Sequence, residues 1–548
     1  MPLKLKQLLP AIILFSFFAS LYIYTAAPGV YDGDSGEIAA AVNELGLAHP
    51  TGFPLYMITG KLFSTLIPMR DLAFRLNIFS AVFTTSAIVL VYYTLRNFGN
   101  SSPSSLFASL ILGFGRNTIW RNSGSANTYS LSLLLAVILF FIFSKWKREQ
   151  KTSYIYWYGF LWGLSLGTHF IMVIMLIPAI FMLLQMLPLL KIKTRILANF
   201  LFVTALPTVQ YLYLFFAHRR DTIVNWGSVD SFNDFFYYIT QRQYASKIFT
   251  RDFQGTINFV KKTATLLVTE TLVLFFIISV VGFILLWVRS RKTFLIFAVV
   301  ITTNILIMWG YGKWEADLSV LYRYLFISNL ILALAIAFGL DSIVRQVKRR
   351  GKKWLFVFNF VIVLGLLLHF KVALSDNNRA NNFFVSDTAQ NILNTLEPNA
   401  LVLSYGDLIT GPLWYYQSIG QREDVVVVAV ALLRFDWYID NINSKYNNIG
   451  RDMLPKTNVG QRIQAVIEKN ITERPVYSVF FNSSSDNLLE KTFDFIPNGL
   501  VFRVVPKGWP VAKEIITSNK NIWAKYNLRN VKADFRQDVM LNGLAEYY

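Results

Sequence analysis

The sequence predicts a polytopic α-helical membrane protein of about eleven transmembrane helices, followed by a soluble α/β domain. Three observations support this prediction. First, 54% of the 548 residues are hydrophobic, and the mean hydropathy is +0.43, well above the apolar content of soluble enzymes. Second, long apolar runs recur up to residue 370. Third, the chain beyond that point is rich in Asn, Asp and Ser, so the membrane part is expected to end there.

Each apolar run is judged against the length that a helix needs to cross a bilayer, about 20 residues. Several runs are close to the minimum length, and one of them contains Arg116. The predicted spans are Leu8–Ala27, Leu76–Leu95, Leu106–Trp120, Tyr129–Phe143, Tyr154–Thr168, Phe170–Leu190, Ile196–Ala217, Leu266–Val288, Phe294–Gly310, Val320–Leu340 and Trp354–Phe370.

The distribution of Lys and Arg gives the orientation, because loops that are translocated avoid these residues. With a cytoplasmic N-terminus ("MPLKLK"), the even-numbered connections should be basic, and they are: Arg96, then "KWKREQK", "KIKTR", "RSRK" and "RQVKRRGKK". The net charge of +20 therefore indicates topology and contact with anionic lipids, and no nucleic-acid partner is expected. An odd number of spans places the C-terminal domain outside the cytoplasm.

The first helix is expected to be retained as a signal anchor. The absence of Cys excludes disulfides and thiolate metal sites, and it is compatible with a periplasm. We expect an integral multi-pass protein of a bacterial inner or plasma membrane.

The predicted domain boundary lies between residues 374 and 375, giving a membrane domain over 1–374 and an extracytoplasmic α/β domain over 375–548. In the second domain, "ALVLSYGD", "VVVVAVALL" and "RPVYSVFF" are typical of buried strands, and "TAQNILNTL" is typical of a helix between them. Strands that alternate with helices predict a small α/β domain.

The most unusual stretch is the first loop, "YDGDSGEIAAAVNELGLAHPTGFPLY", over residues 31–56. After Asp34, apolar residues recur at helical spacing, which predicts a short amphipathic helix on the membrane surface. A structural explanation of "DSGE" is a capping box made by Asp34 and Glu37. A capping box does not explain Asp32 or the "HPTGFPLY" hook. The alternative is a set of carboxylates that meets a lipid-borne substrate and a soluble acceptor at the bilayer surface.

The same stretch also carries a resemblance. "GDSGEIAAAVNELGLAHPTGFPLYMITGKLFSTLIP" resembles the opening signature of the transmembrane protein 260-like family, formerly a domain of unknown function. That family is placed among the GT-C membrane glycosyltransferases, and its vertebrate member is a protein O-mannosyltransferase. The similarity continues in "NWGSVDSFNDFFYYITQRQY", "YRYLFISNLILALAIAFGL" and "YGDLITGPLWYYQSIGQREDVVVVAVALL", so it covers nearly the whole chain. One departure is Asn127, in "WRNSGSANTYSL", where the family usually has Glu.

The resemblance implies that a sugar, mannose-like in this family, passes from a polyprenyl phosphate donor to a hydroxyl of a protein or glycan acceptor, usually with inversion. This reaction needs a carboxylate base and cations that hold the leaving phosphate. Asp34 is our candidate for the base, Glu37 for a helper or acceptor-binding group, and Asp32 for the alternative carboxylate. Arg323 and Arg242 are candidates for the phosphate, with snorkelling to the interface as the structural alternative for Arg323.

Further candidates for substrate binding are Asn225 and Trp226 in the same loop as Arg242, although loop aromatics also pack onto the membrane surface. His49 can bind a sugar hydroxyl, contact phosphate or ligate a divalent ion together with Asp34 and Glu37. His169 is either a functional group inside the bundle or a helix-helix hydrogen bond. Within the GT-C superfamily some transferases use a metal and others do not, so the resemblance leaves metal dependence open.

Two other functions compete with a glycosyltransferase. A transporter or flippase should place charged groups and helix breaks near the bilayer midplane, often in two related halves, whereas the distinctive polar residues here cluster at helix ends and loops. An inactive membrane sensor is suggested by Asn127 and opposed by the intact first-loop motif. No P-loop or GxGxxG pattern is found, so nucleotide-dependent chemistry is not predicted.

Overall fold

The computed structural model describes residues 3–31, 33–186, 193–311, 323–446, 449–450, 458–479, 489–510 and 515–529. Within these ranges the chain forms a helical bundle followed by a domain built on one mixed sheet. The helices of the bundle, in chain order, are α1 (Leu3–Thr25), α2 (Ser35–Glu44), α3 (Pro54–Leu66), α4 (Leu72–Asn97), α5 (Ser102–Gly113), α6 (Ile119–Ser123), α7 (Tyr129–Glu149), α8 (Thr152–Ser165), α9 (Leu176–Met186), α10 (Lys193–Ala205), α11 (Leu212–His218), α12 (Phe232–Ile239), α13 (Phe253–Thr271), α14 (Val273–Arg289), α15 (Arg291–Gly310), α16 (Phe326–Arg349) and α17 (Lys352–Asn377).

Among the described residues, seven helices are long and apolar enough to cross a membrane, and an eighth candidate is the bent pair α13 and α14. The multi-pass helical prediction is confirmed. Three of the eleven predicted spans form shorter helical segments, namely α5, α8 and the run from a 3-10 helix (Phe170–Met175) into α9. Their lengths alone would not cross about 30 Å of hydrocarbon, so the total of about eleven stays a prediction.

The predicted span over 266–288 is interrupted in the structure. The chain turns by 100° between α13 and α14, at Leu272, whose φ is +68°. No Gly or Pro marks this break in the sequence, so the apolar run reads as continuous. The apolar helix α14 therefore starts at Val273, and the first part of the predicted span belongs to α13.

The second domain contains a five-stranded sheet in the order β2-β1-β3-β5-β4. The three predicted strands are present and parallel to one another, and β5 joins antiparallel to β3 with β4 at the edge. The β4–β5 hairpin was not predicted. The elements are α18 (Phe384–Thr395), β1 (Leu401–Ser404), α19 (Asp407–Ser418), β2 (Val426–Ala429), α20 (Asp436–Tyr446), α21 (Val459–Asn470), β3 (Val476–Ser478), α22 (Leu489–Thr492), β4 (Phe493–Asn498), β5 (Val501–Pro506) and α23 (Ile515–Trp523).

The second domain packs directly on the bundle. Helix α19 crosses α2 so closely that a side chain at Gly36 would collide with the backbone of Gly411 and Pro412, which explains a glycine there. The Asn43 amide also donates to the Ser418 carbonyl at 2.6 Å. One apolar core runs through both parts. The predicted boundary at 374/375 falls inside the last turn of α17.

The predicted helix of the first loop exists as α2, but its predicted environment is wrong. Residues 35–42 are buried on every side, because α19 covers the face that an interfacial helix would leave open to headgroups. The small side chains of "AAA" permit this close packing on two faces. Helix α2 is therefore a buried connection between the bundle and the α/β domain.

Candidate active site

A cleft of about 350 Å³ lies where the first loop, the bundle and the α/β domain meet. The first loop and α2 form one wall. The next wall is formed by residues of the segment after α12 and by two residues just before α16, namely Gln241, Gln243, Tyr244, Ser246, Lys247, Arg323 and Tyr324. The α/β domain closes the cleft with residues 406–407 and 431–435. Side chains from across the whole sequence therefore converge on one space.

Asp34 stands at the N-terminus of α2 and faces Arg323. Its Oδ2 lies 3.3 Å from Arg323 Nη1, and Arg323 is 8% exposed. The guanidinium lies against Gly33, whose φ is +56°, and any Cβ at that position would collide with it, so the site requires glycine there. Asp34 makes no side-chain capping bond, so the predicted capping box is wrong. Arg323 is buried in an ion pair instead of snorkelling.

Glu37 lies one turn further along α2 and binds His49 of the hook. Its carboxylate accepts from the His49 backbone N–H at 2.7 Å and lies 2.9 Å from Nδ1 of the ring. Burial lowers the pKa of His49, but attraction to Glu37, with smaller contributions from Asp34 and Asp407, outweighs it and raises the pKa to about 9. His49 is therefore an imidazolium at neutral pH. Since Nδ1 is engaged by Glu37, Nε2 is the ring nitrogen that remains for a ligand.

Two further cations come from segments that the sequence reasoning did not single out. Lys247 and Arg434 both line the cleft, opposite the first loop. Burial, and then the positive charge of Arg434, lowers the pKa of Lys247. Asp407, at the start of α19, lines the same side. With Arg323 and His49, these side chains give the cleft four cationic groups facing three carboxylates.

His169 belongs to an aromatic wall of the cleft. Its ring is stacked on Phe53 at 6.0 Å and lies 5.1 Å from both Tyr129 and Tyr324. Its Nδ1 accepts from the Ile171 backbone N–H at 3.3 Å, which assigns the ring proton to Nε2. His169 is 3% exposed and lines the cleft, so a helix-helix hydrogen bond does not describe it.

An apolar cavity of about 640 Å³ adjoins the cleft. The two spaces share Phe170, Gln241 and Tyr311, and the Tyr311 hydroxyl donates to Gln241 at 2.5 Å. Apolar side chains of the bundle and of α12 form most of its wall, including Val173, Phe235 and Ile239. A charged cleft therefore lies beside an apolar space and shares part of its wall.

The remaining predicted residues are distributed differently. Trp226 lines the cleft, and its ring lies 5.9 Å from that of His49. Asn225 lines a different cavity. Arg242 is exposed and is not part of the cleft wall, although its neighbours Gln241 and Gln243 are. Asp32 lies outside the described residues.

Asn127, the departure from the family pattern, is 6% exposed and bonded to its own backbone. Its amide nitrogen donates to the Asn122 and Ser125 carbonyls at 2.6 Å each, and its oxygen accepts from the backbone N–H groups of Tyr129 and Ser130. It borders a small space next to Asp34 and Arg323. In this chain the residue closes the turn that leads into α7.

Asp34, Glu37 and His49 are also the candidate metal ligands within the part of the chain that the structure describes. One ligand atom from each lies within 4.8 Å of the others. A divalent ion prefers a neutral imidazole, whereas this imidazole is protonated and donates to Glu37. Metal binding would thus require His49 to lose a proton, with Nε2 as the ligand atom if Nδ1–H stays on Glu37.

Three comparisons place these observations among known proteins. The family model of the protein O-mannosyl-transferase TMEM260 N-terminal domain matches residues 34–192, and that of TMEM260-associated domain 2 matches residues 385–451. The protein O-mannosyl-transferase tmem260 of Dictyostelium discoideum is 22% identical over 92% of this chain and 68% of its own length. The mouse (Mus musculus) TMEM260 protein O-mannosyl-transferase is 25% identical over 80% of this chain and 65% of its own length. The chain thus spans about two thirds of these relatives.

Solved structures give the fold. ArnT from Cupriavidus metallidurans, crystallised with undecaprenyl phosphate, aligns with a TM-score of 0.56 at 12% identity, over 90% of this chain and 97% of the ArnT chain. The apo ArnT structure aligns with a TM-score of 0.54. At this identity the likeness shows a shared GT-C fold.

Proposed function

Since the chain is a TMEM260-like membrane glycosyltransferase of the GT-C fold, we propose that it transfers a sugar from a polyprenyl phosphate to a hydroxyl of a protein or glycan at the extracytoplasmic face. The observation that carries the proposal is the cleft itself, in which a carboxylate and several cations meet beside an apolar cavity that shares part of the cleft wall. The names of the curated relatives favour a mannose-like sugar and a protein acceptor.

Asp34 is the general base of the proposed reaction. It takes the proton of the acceptor hydroxyl while the acceptor oxygen forms a bond to C1 of the sugar. The bond from C1 to the phosphate oxygen breaks, and polyprenyl phosphate leaves with the electron pair. Of the two carboxylates that the described part of the first loop brings to the cleft, Asp34 suits this role because its side chain is 26% exposed, whereas that of Glu37 is covered by its partner. A positioned base of this kind contributes about 10²- to 10⁴-fold.

The leaving phosphate is proposed to bind Arg323 and the imidazolium of His49. Arg323 offers a planar fork of donors, and His49 offers Nε2–H. Glu37 is then a positioning residue, because its carboxylate fixes the His49 ring and keeps it protonated. This assignment replaces the direct catalytic role that the sequence suggested for Glu37.

The polyprenyl chain is proposed to lie in the apolar cavity that shares Phe170 with the cleft. The undecaprenyl phosphate bound to ArnT in its crystal structure supports a polyprenyl-linked donor in this fold. With the tail in the cavity, the phosphate would enter the cleft past Gln241 and Tyr311. The sugar would then face Trp226 and the aromatic wall around His169.

The transporter alternative has less support. Its charged groups should lie near the midplane of the bundle, whereas Asp34, Glu37, Arg323 and His49 lie beneath the α/β domain, whose residues form part of the cleft wall. A sensor without catalysis would not need a carboxylate base such as Asp34, paired with Arg323, beside the apolar cavity proposed for the polyprenyl chain. Asn127, which suggested that alternative, has the structural role described above.

The proposal is tested with protein reconstituted in lipid and a panel of radiolabelled polyprenyl phosphate sugars, together with acceptor protein. Wild type and Asp34→Asn are compared for transfer and for donor hydrolysis. We expect one donor to be turned over by wild type, and the turnover to fall at least about 10³-fold in the variant. Lys261→Glu is the control, because Lys261 is exposed on α13 and lies away from the cleft. Inactivity of folded wild type towards every donor would overturn the proposal, and full activity of Asp34→Asn would overturn the assigned base.

A further inference from the structure

A second cavity, of about 450 Å³, lies between the segment that follows α11 and the α/β domain. One side is formed by residues 218–225, and the other by β2, α20 and Trp414 of α19. Its volume is in the range of pockets that bind ligands. The proposed transfer reaction does not use this space, and its walls come from the same two parts of the chain that close the active-site cleft.

The lining is polar, and its cations outnumber its carboxylates. Among the described lining residues, Arg219, Arg220 and Lys445 accompany the one carboxylate of Asp221, and Lys445 is paired with it at 3.1 Å. Two carboxylates outside the lining also reach it: that of Glu44 accepts from the Ile223 backbone N–H at 2.8 Å, and that of Asp230 lies 3.3 Å from His218 Nε2. Arg219 and Arg220 are exposed, so the exposed edge of the cavity should attract anionic groups.

Amide and aromatic groups line the deeper part. Asn225 and Asn441 line the cavity together with the buried rings of Trp414 and Tyr438. The Asn225 amide is bonded to His218, and the Asn441 amide donates to the Asn225 carbonyl at 3.5 Å, so these amides brace the wall of the cavity. The described lining contains none of the large apolar side chains that the protein exposes elsewhere, and a lipid headgroup site would be expected to continue into such a surface.

One aromatic pair separates this cavity from the cleft. Trp414 lines the cavity, Trp226 lines the cleft, and the two rings meet edge to face at 6.3 Å between centroids. Asn225 and Trp226 are neighbours in the sequence, but Asn225 lines the cavity and Trp226 lines the cleft. This is expected for an extended segment, in which successive side chains point to opposite sides.

We propose that this cavity binds an acidic segment of the acceptor polypeptide close to the hydroxyl that enters the cleft. The inference rests on the proposed function for its acceptor hydroxyl. The chemistry that it adds is selection by charge, because the exposed Arg219 and Arg220 attract acidic side chains. These two arginines would then raise the local concentration of acidic acceptors.

The test uses fluorescent peptides and protein in nanodiscs of neutral lipid. Each peptide carries one Ser and has either Asp/Glu or Asn/Gln at positions two to four from it, on one side or the other. Equilibrium binding is measured first, because it requires no turnover, and the KM for transfer is measured second. We expect wild type to prefer the acidic peptide about 5- to 10-fold, which is typical of exposed charge pairs acting together.

Three variants separate the explanations. Arg219→Glu should abolish the preference, Asp221→Asn should increase it about 2-fold, and Lys261→Glu, a charge reversal outside both spaces, should leave it unchanged. The melting temperature checks that each variant folds. Equal binding of both peptides by wild type, or an undiminished preference in Arg219→Glu, would overturn the inference.

Two further outcomes are distinguishable. If Arg219 instead makes activity depend on anionic lipid in the nanodisc, with no peptide preference, the cavity serves the membrane and the inference fails. Donor hydrolysis without acceptor reports on the proposed function separately. If wild type preferred the acidic peptide in binding but turned over no donor, the acidic-peptide site would be supported and the transferase proposal would be wrong.

Discussion

Two glutamates in this protein are almost equally buried but have opposite surroundings. Glu37 in the cleft is 3% exposed, and Glu270 at the end of α13 is 1% exposed. Glu270 accepts from three backbone N–H groups, those of Asn117, Thr118 and Ile119, at 2.5 to 3.1 Å. Glu37 accepts from one backbone N–H and holds an imidazolium that lines a cavity.

The difference shows how a structural carboxylate is distinguished from a functional one. Backbone donors are fixed by the fold, so Glu270 stabilises the start of α6 and has no exchangeable partner among the groups described. A cationic side chain can divide its donors between a carboxylate and a ligand, so the Glu37 and His49 pair can respond to substrate. Burial alone does not separate the two cases, but the chemistry of the partners does.

Of the changes that test this contrast, Glu37→Gln has the largest expected effect. The neutral amide removes the main attraction that raises the pKa of His49 to about 9. Burial, opposed only by the smaller attraction of Asp34 and Asp407, then lowers this pKa. We expect kcat/KM at pH 7.5 to fall about 10²-fold. In wild type, kcat/KM should decline as the pH rises through about 9, and in the variant this decline should move to lower pH.

The sign of this pH dependence is fixed by the direction of the shift. The pKa of His49 is higher in the folded protein than in the unfolded chain. The stabilisation that comes from its attraction to Glu37 is therefore fully present below about pH 6.5 and is lost as the pH rises through about 9. His49→Gln is the companion variant, and it should lack the alkaline decline. If kcat/KM of Glu37→Gln still declined near pH 9, the proposed contrast between the two glutamates would be wrong.

Glu270→Gln should have the second largest effect, and it should act on stability. The amide nitrogen would face backbone N–H groups, so at least one charge-assisted hydrogen bond is lost, at about 2 kcal/mol. We expect a lower melting temperature in detergent, with the activity of each folded molecule within about 2-fold of wild type. A large loss of turnover in a normally stable variant would show that Glu270 belongs with Glu37.

The sequence predicted much of the fold, because apolar periodicity and charge placement are local signals. It located α2, the three parallel strands and the basic loops. It missed the break at Leu272, where a φ of +68° occurs without Gly or Pro. It also missed the β4–β5 hairpin, whose strand "FDFIPN" contains a proline that weakens the strand pattern.

The site residues were harder to predict, because their partners are distant in the chain. Asp34 was interpreted as a capping residue or a base, and its partner Arg323 lies 289 residues away. Local rules favour the capping box, but the long-range ion pair prevails. In the loop after α12, the sequence favoured Arg242, yet the 3-10 turn over Arg242–Lys247 directs Lys247 to the cleft. No local pattern distinguishes these two cations.

The smallest expected effect concerns Asn127, an intermediate case that sharpens the contrast. Like Glu270, it is buried and bonded to backbone groups, yet like Glu37 it lies close to the ion pairs of the site, bordering the same small space as Asp34. If its partners decide its role, Asn127→Ala should cost about 1 kcal/mol of stability, as for the loss of a helix cap, and should change kcat/KM by less than about 3-fold.

Asn127→Asp is the matched variant for this prediction. It retains the oxygen that accepts from Tyr129 and Ser130, so it should keep more stability than Asn127→Ala, while losing the donors to the Asn122 and Ser125 carbonyls. The measurements are melting temperature and donor turnover for both variants. If Asn127→Ala instead lost turnover about 10²-fold at normal stability, proximity to the ion pairs would outweigh the backbone partners. Asn127 would then be grouped with Glu37 as a residue of the active site. The resemblance described above implies a glutamate at this position in the family.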